Sequence, residues 1–374
     1  MTAGLTPASD IESLGSMVMS ALSEAGLSAS LRSVNEASWR EVAGRVRYLP
    51  VDYSSAMIDY QLAYWSGNGL PTLDISLVLM HDGRPCGIWP LSASCGLEGK
   101  WRLGSSGGPV VPPLFATGLA RKSIKSMTAG CLAFLERIGR QTAQASMEIV
   151  EAYVGSDGLS EWHGLLMQNG ARAELRHDLF LDLSPSMADI KSTFRKSYKA
   201  LITSGGKLWK TGLASAADPG LWDEFRLLHR AVAGRITRSE ESWRSQHDAI
   251  ASGDAFFVYL RDDEGRMVGG GLFHTTTDEG LYAIGAYDRS LFDKPLGHVV
   301  QYHAITEMKA RGVRWYKLGM RCYSSETPLA SEKEMAIANF KQGFASHVLP
   351  RFVIHHDLPL APQASAEIQP CQTI

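Results

Sequence analysis

Residues 254–288 read DAFFVYLRDDEGRMVGGGLFHTTTDEGLYAIGAYD. Three apolar runs lie here between two polar punctuations, Asp263-Glu264-Gly265 and Asp278-Glu279-Gly280. Apolar runs of this length bounded by Asp/Gly clusters predict three strands joined by two turns. Downstream, RSLFDKPLGHVVQYHAI leads into a helix predicted over 296–311 and closed by Gly312. VRWYKLG (313–319) reads as the next strand, residues near 331–342 as a helix, and SHVLPRFVI as a final strand. Upstream, helices are predicted near 187–204, 220–233 and 238–251.

The first half repeats this order. LDISLVLMHDGRPCGIWPLSASCG (73–96) is two apolar strands joined at Asp82-Gly83, a strong hairpin signal. A helix over about 117–140 follows, then a strand (147–153), a helix (159–169) and a strand (174–183). GSSGGPVVPP (104–113) resembles a phosphate loop only in glycine count and reads as a turn. Repetition of the element order at roughly 180 residues predicts a tandem fold by duplication. Residues 11–25 read as an amphipathic helix capped by Ser9 or Asp10.

The 374 residues are 45% hydrophobic and 20% charged, enough for two cored domains. A formal net charge of −2 excludes a chain-wide basic surface for nucleic acid and leaves room for a local patch. The five cysteines, Cys86, Cys95, Cys131, Cys322 and Cys371, form no CxxC pair. Neither a metal site nor a disulfide framework is expected, and a reducing compartment is. With no 18-residue apolar run and no signal-peptide pattern at the N-terminus, the reading is a cytoplasmic protein without a membrane span.

Three segments carry a family resemblance: GLYAIGAYDRSLFDKPLGHVVQYHAI, GVRWYKLG, and IANFKQGFASHV near the C-terminus. The element order resembles the GNAT superfamily. The tandem arrangement and the Phe-Lys-x-Gly-Phe element resemble the Fem family of aminoacyl-tRNA-dependent peptidyltransferases. The resemblance implies an α/β fold of two GNAT-like (acyl-CoA N-acyltransferase-like) domains, each a mixed central sheet flanked by helices. It divides the chain into a helical extension (1–35), an N-terminal domain (36–184), a C-terminal catalytic domain (185–355) and a disordered tail (356–374). Where a GNAT motif reads Gln/Arg-x-x-Gly-x-Gly/Ala, this chain has Asp293-Lys294-Pro295-Leu296-Gly297-His298. It also lacks the long charged heptad arm frequent in Fem proteins.

The implied activity is N-acyl transfer to an amine of a small molecule or sugar. The co-substrate is aminoacyl-tRNA or an acyl-thioester such as acyl-CoA, and no cofactor is held tightly. Direct attack needs a neutral amine, oxyanion donors and a route for the proton, but no Ser-His-Asp set. An acyl-CoA N-acetyltransferase and a non-catalytic protein binding a nucleotide-sugar or a partner are the alternatives.

Lys341 of NFKQGF is the first catalytic candidate, since the resemblance places this lysine near the scissile carbonyl. The competing account is a solvated helix-end lysine suited to the dipole. Asp288 is a candidate proton acceptor or an Asx-turn residue, and His298 a candidate base or an ordinary histidine. Substrate-binding candidates are Tyr287, Arg289, Lys294, Gln301 and Phe340 around the expected cleft. Arg235 and Arg238 join them as a clamp for phosphate or carboxylate. Thr237 and Glu240 fit a capping box, which puts Arg238 in the first helical turn. Arg195, Lys196 and Lys199, in FRKSYKALITSGGKLWK (194–210), are the candidate tRNA contacts, set against a solvated amphipathic helix.

Overall fold

The computed structural model describes residues 8–96, 100–152 and 159–358. The decisive stretch folds as read, into antiparallel strands Ala255–Arg261, Met267–Thr275 and Glu279–Tyr287. Helix Leu296–Ala310 then crosses to strand Trp315–Arg321, which pairs parallel with Glu279–Tyr287. In the N-terminal half, Leu77–His81 and Arg84–Trp89 form the hairpin. Asp82 and Gly83 both adopt positive φ, 50° and 73°, as a type I′ turn requires.

The strands of the two halves interleave. One eight-stranded sheet runs Lys210–Ala214, Ala255–Arg261, Met267–Thr275, Glu279–Tyr287, Trp315–Arg321, Arg172–Asp182, His347–Asp357, Ser146–Ala152. The C-terminal strand His347–Asp357 thus lies between two strands of the N-terminal half, antiparallel to both. The tandem order is present, but the halves share this sheet where a central sheet for each was expected. The N-terminal hairpin lies apart in a four-stranded sheet, beside a three-stranded one, and a Val110–Ile149 bridge touches the large sheet.

Both faces of the C-terminal part of the sheet are covered. On one, helices Leu296–Ala310 and Lys196–Leu208 cover Phe256, Phe273, Tyr316 and Phe344. On the other, helices Pro219–Ala233 and Glu240–Ala251 bring Trp222, Phe225 and Trp243 onto Phe257, Leu272 and Ile284. The N-terminal extension forms helix Ala8–Glu24, which starts before the expected cap, and its Leu14, Val18 and Leu22 are buried. The tail from residue 359 lies outside the described residues.

Two local expectations are corrected. The capping box at Thr237 and Glu240 does not form. Ser239 is the N-cap, accepting from the Ser242 amide, so Arg238 precedes the helix. Glu240 instead binds Arg226. Asp278 and Glu279, read as turn residues, are turned inward as a clamp between halves. Glu279 accepts from the Tyr48 hydroxyl at 2.6 Å and the Val51 amide at 3.1 Å, and Asp278 accepts from the Leu49 amide at 2.9 Å. Lys317 binds Asp52 beside them at 3.2 Å.

No helix among the described residues is long and apolar enough to cross a membrane. None of their side chains cluster as a metal site. Cys86, Cys95, Cys131 and Cys322 are free.

His274 is fully buried and its Nε2 donates to Gln246 Oε1 at 2.7 Å. Burial pushes its imidazole down to about 4. Above the ordinary pKa of 6.5, folded and unfolded imidazoles are both neutral. Between about 6.5 and 4 only the unfolded chain takes up the proton. Stability should therefore fall on acidification across this window by on the order of 3 kcal/mol from this group. Denaturant midpoints from pH 7.5 to 4.5 should show the decline, and His274→Gln should make it shallower, leaving the share of other depressed imidazoles, among them His229 and His298.

Candidate active site

The parallel ladder between Glu279–Tyr287 and Trp315–Arg321 is short. It pairs Glu279–Leu281 with Trp315–Lys317 and then stops, so the two strands part. Just past that point the pairing of Trp315–Arg321 with Arg172–Asp182 shifts register, and Gly319 adopts φ 114°. A side chain is disfavoured there by backbone conformation alone.

Lys341 reaches this glycine. A Cβ on Gly319 would lie 2.9 Å from the Lys341 ammonium, so the missing side chain makes its room. Lys341 lies in the last turn of helix Glu332–Gln342, whose start is set by a complete Ser331/Glu334 capping box. Burial pushes the Lys341 ammonium below its ordinary pKa, with Cys322 and the Asp178 carboxylate acting against the shift. A solvated helix-end lysine would not be placed so.

Asp178 comes from the N-terminal half. It is 1% exposed, stands opposite Met320 and Leu349 on the neighbouring strands, and neither carboxylate oxygen has a hydrogen bond among the described residues. Arg351 Nη1 lies 3.9 Å away. A buried carboxylate is tolerated only with compensating positive charge, which here comes from Arg351, Lys317 and Lys341. Sequence reading missed it; the signal was an acid inside the strand-like run HDLFL (177–181).

An aromatic wall supports Lys341. Tyr198 donates its hydroxyl to the Phe340 carbonyl at 3.1 Å and packs on Phe340 and Phe344. Its ring occupies the space a Cβ on Gly343 would need. The glycine of NFKQGF thus admits Tyr198, as Gly319 admits Lys341. Phe340 also lies against Gly297, the first-turn glycine of helix Leu296–Ala310.

The other sequence candidates fall into distinct places. His298 is packed edge-on against Tyr198 and Phe340, and burial, then Arg195, holds its imidazole down to about 4. It is neutral at pH 7 but a weak base. Asp288 accepts from the hydroxyl and amide of Ser290, which hold its carboxyl low. The Asx-turn account fits it, and the role of proton acceptor does not. Gln301 is buried and accepts from the Tyr316 hydroxyl at 2.6 Å, a core contact rather than a cleft contact. Tyr287 shares a hydrogen bond with Tyr282 at 3.0 Å. Arg289 is exposed, and Lys294 pairs with Asp293. Arg195 donates to the Asn339 carbonyl and Lys199 to the Ser192 carbonyl, so both hold backbone, while Lys196 is exposed. Arg235 and Arg238 do not meet Tyr287. Arg238 lies over Trp243, in the core layer on the sheet face opposite the Tyr287 layer.

A cavity of about 420 Å³ opens between the halves, lined by Tyr48, Asp52, Tyr53, Glu151, Glu279 and Lys317 among others. Lys317 is buried. Burial alone would lower its pKa, but Asp52, Glu279 and Asp178 together hold it above the usual lysine range. Lys317 stands two residues before Gly319, so this cavity and the Lys341 ammonium adjoin one strand segment.

The sequence model of the acetyltransferase (GNAT) domain matches residues 189–327. No curated protein sequence matches the chain. Among solved structures, the fold is similar to FemX at TM-score 0.63 and 12% identity, covering 84% of this chain and 95% of that one. It is similar to the C-terminal domain of a putative lysylphosphatidylglycerol synthetase from Agrobacterium fabrum, with TM-score 0.52, 12% identity and coverage of 86% and 92%. It is also similar to L-PGS from Bacillus licheniformis, with TM-score 0.51, 13% identity and coverage of 81% and 88%. The chain thus shares the fold of FemX, and its residues 189–327 match a GNAT domain.

Gly319→Ala tests the geometry at the strand parting. Positive φ and the facing ammonium together should cost roughly 1–3 kcal/mol, read from the denaturant midpoint. Lys341 should be displaced, and its labelling by an amine-reactive reagent, followed by mass spectrometry, should speed up. Unchanged stability together with unchanged labelling would contradict the contact.

Proposed function

We propose that this chain is an N-acyltransferase. It moves an aminoacyl or acyl group from aminoacyl-tRNA or an acyl-thioester to an amine of a small molecule or sugar. The observation that carries the reading is the half-buried Lys341 ammonium, unpaired with any carboxylate at ion-pair distance among the described residues, lodged at Gly319 where the two central strands part. The acceptor nitrogen attacks the carbonyl carbon, and the carbonyl oxygen gains negative charge. A fixed cation in a site of low dielectric stabilises that charge more than water does. The bond to the ester oxygen or thioester sulfur of the donor then breaks, and the proton lost by the nitrogen passes to the leaving oxygen or sulfur, directly or through water.

Asp52, Glu151 and Glu279 line the cavity between the halves and suit an acceptor that arrives as an ammonium ion. The donor approaches from the opposite side, over helices Lys196–Leu208 and Leu296–Ala310. Exposed Lys196 and Lys207 are there to meet phosphates. Aminoacyl-tRNA is favoured as donor by the first turn of helix Leu296–Ala310, which has a single glycine with the Phe340 ring against it. That leaves poor access for a pyrophosphate bound to helix amides. The reading as an acyl-CoA-dependent N-acetyltransferase draws on the description of the matched domain. Thermal shifts with acyl-CoA and with charged tRNA separate the two donors.

Lys341→Met keeps most of the stem and removes the charge. Loss of an oxyanion-stabilising group should lower the single-turnover rate on the order of 10²–10³, with little effect on substrate binding. A solvated charge would change stability by about 0.5 kcal/mol at most and the rate hardly at all. Single-turnover acyl transfer at saturating substrate, with a melting curve to confirm folding, decides between them. A folded variant with a near-wild-type rate removes Lys341 from the mechanism.

A further inference from the structure

The cavity of about 420 Å³ between the halves combines charged residues with an apolar wall. Four carboxylates line it, Asp52, Glu151, Glu161 and Glu279, against two cations, Arg47 and Lys317, so the lining is net negative. Most of these charges are already engaged. Lys317 is bound to Asp52 at 3.2 Å, Glu161 is bound to Arg121 at 2.6 Å, and Arg47 has a partner too. Glu279 takes the Tyr48 hydroxyl on one oxygen and the Val51 amide on the other.

Glu151 differs. It is 9% exposed, its Oε2 lies 3.2 Å from His163 Nδ1, and its Oε1 has no hydrogen bond among the described residues. Its position is fixed from several sides. It stands opposite Phe352 on the neighbouring strand, the Phe352 ring packs edge-on against His163 at 4.9 Å, and Ser160 caps the His163 amide. The apolar wall is formed by Val46, Pro113, Leu114, Phe115 and Ile124. Polar groups around that wall are spent on the fold. The Tyr53 hydroxyl donates to the Pro112 carbonyl at 2.5 Å, and Trp89 Nε1 donates to the Val111 carbonyl at 2.7 Å.

We infer that the acceptor is a primary amine on an alkyl or aryl body, an identity that rests on the proposed reading of this cavity as the acceptor's site. The amine binds as its ammonium, with the charge on Glu151 and the body along the wall from Val46 to Ile124. A carboxylate held in a sheltered site binds an ammonium with charge-assisted hydrogen bonds. An alkyl or aryl body gains by leaving water for the apolar wall. A sugar would bring hydroxyls that lose water there and find their would-be partners already taken, which is unfavourable. The cavity therefore selects against an amino sugar and for an amine whose remaining surface is apolar.

The test measures binding alone, on the full chain without donor, at pH 7 where alkyl amines are protonated. Calorimetric titrations use octylamine and phenethylamine, each against its uncharged alcohol, octanol and phenylethanol, and then glucosamine. Each amine should bind roughly tenfold or more tightly than its alcohol, and glucosamine should bind more weakly than either amine. Glu151→Gln keeps the side-chain volume and should bring amine and alcohol to equal affinity. Ile124→Trp adds bulk on helix Arg121–Gln141 at a half-buried position and should weaken amines and alcohols alike, which keeps the test open if Glu151→Gln fails to fold. Lys341→Met should bind both amines as wild type does, so loss of the role of Lys341 and loss of this acceptor class are separate results. Tighter binding of glucosamine, equal binding of amine and alcohol by wild type, an amine preference that survives in folded Glu151→Gln, affinity unchanged by Ile124→Trp, or no binding of any probe overturns the proposal.

Discussion

The insertion of the C-terminal strand His347–Asp357 between Arg172–Asp182 and Ser146–Ala152 is the constraint on which the rest of the structure depends. Without it, two N-terminal strands would each present an open edge, and unpaired backbone groups are costly when buried. The pairing joins segments far apart in sequence, so neither half completes its sheet alone. Unfolding should accordingly couple the halves, because losing the last strand breaks ladders on both sides.

That arrangement also determines the electrostatics of the centre. Arg172–Asp182 is held between Trp315–Arg321 and His347–Asp357, which brings Asp178 beside cations from the C-terminal half. A second charged layer, Glu279 with Tyr48 and Lys317 with Asp52, clamps the halves around the cavity. Buried charges of this kind add little net stability, but removing one partner leaves the other stranded. They therefore act chiefly to hold the halves in one relative position. The cavity and the Lys341 ammonium then adjoin a single strand, Trp315–Arg321, at Lys317 and Gly319.

Glycines do the corresponding steric work. Gly319 gives room to the Lys341 ammonium, Gly343 to the Tyr198 ring, and Gly297 to Phe340. The three lie on different elements, which explains why the wall around Lys341 tolerates so little bulk. The Phe-Lys-x-Gly-Phe element is thus a packing solution as well as a carrier of charge. Its Phe344 is wholly buried, and its Gly343 permits the aromatic contact that positions the lysine's helix.

The local content of this chain was legible in its residues. The hairpin at Asp82-Gly83, the three strands after Asp254 and the helix closed by Gly312 were all readable, because turn chemistry and hydrophobic period act over about ten residues. The helix that carries Lys341 was legible too, read near 331–342 and found at Glu332–Gln342. What the sequence could not determine was partnership across distance. Strand His347–Asp357 carries no mark saying that its neighbours come from the other half, since backbone hydrogen bonds are the same for any partner. Asp278 and Glu279 looked like turn residues because their donors, the Leu49 and Val51 amides, lie more than 200 positions away. Asp178 went unread because its countercharges come from other strands and a helix. Arg238 seemed close to Tyr287 until the sheet stood between them. Pairing partner and sheet face are decided only when the whole core is buried at once, and only the tertiary structure contains that information.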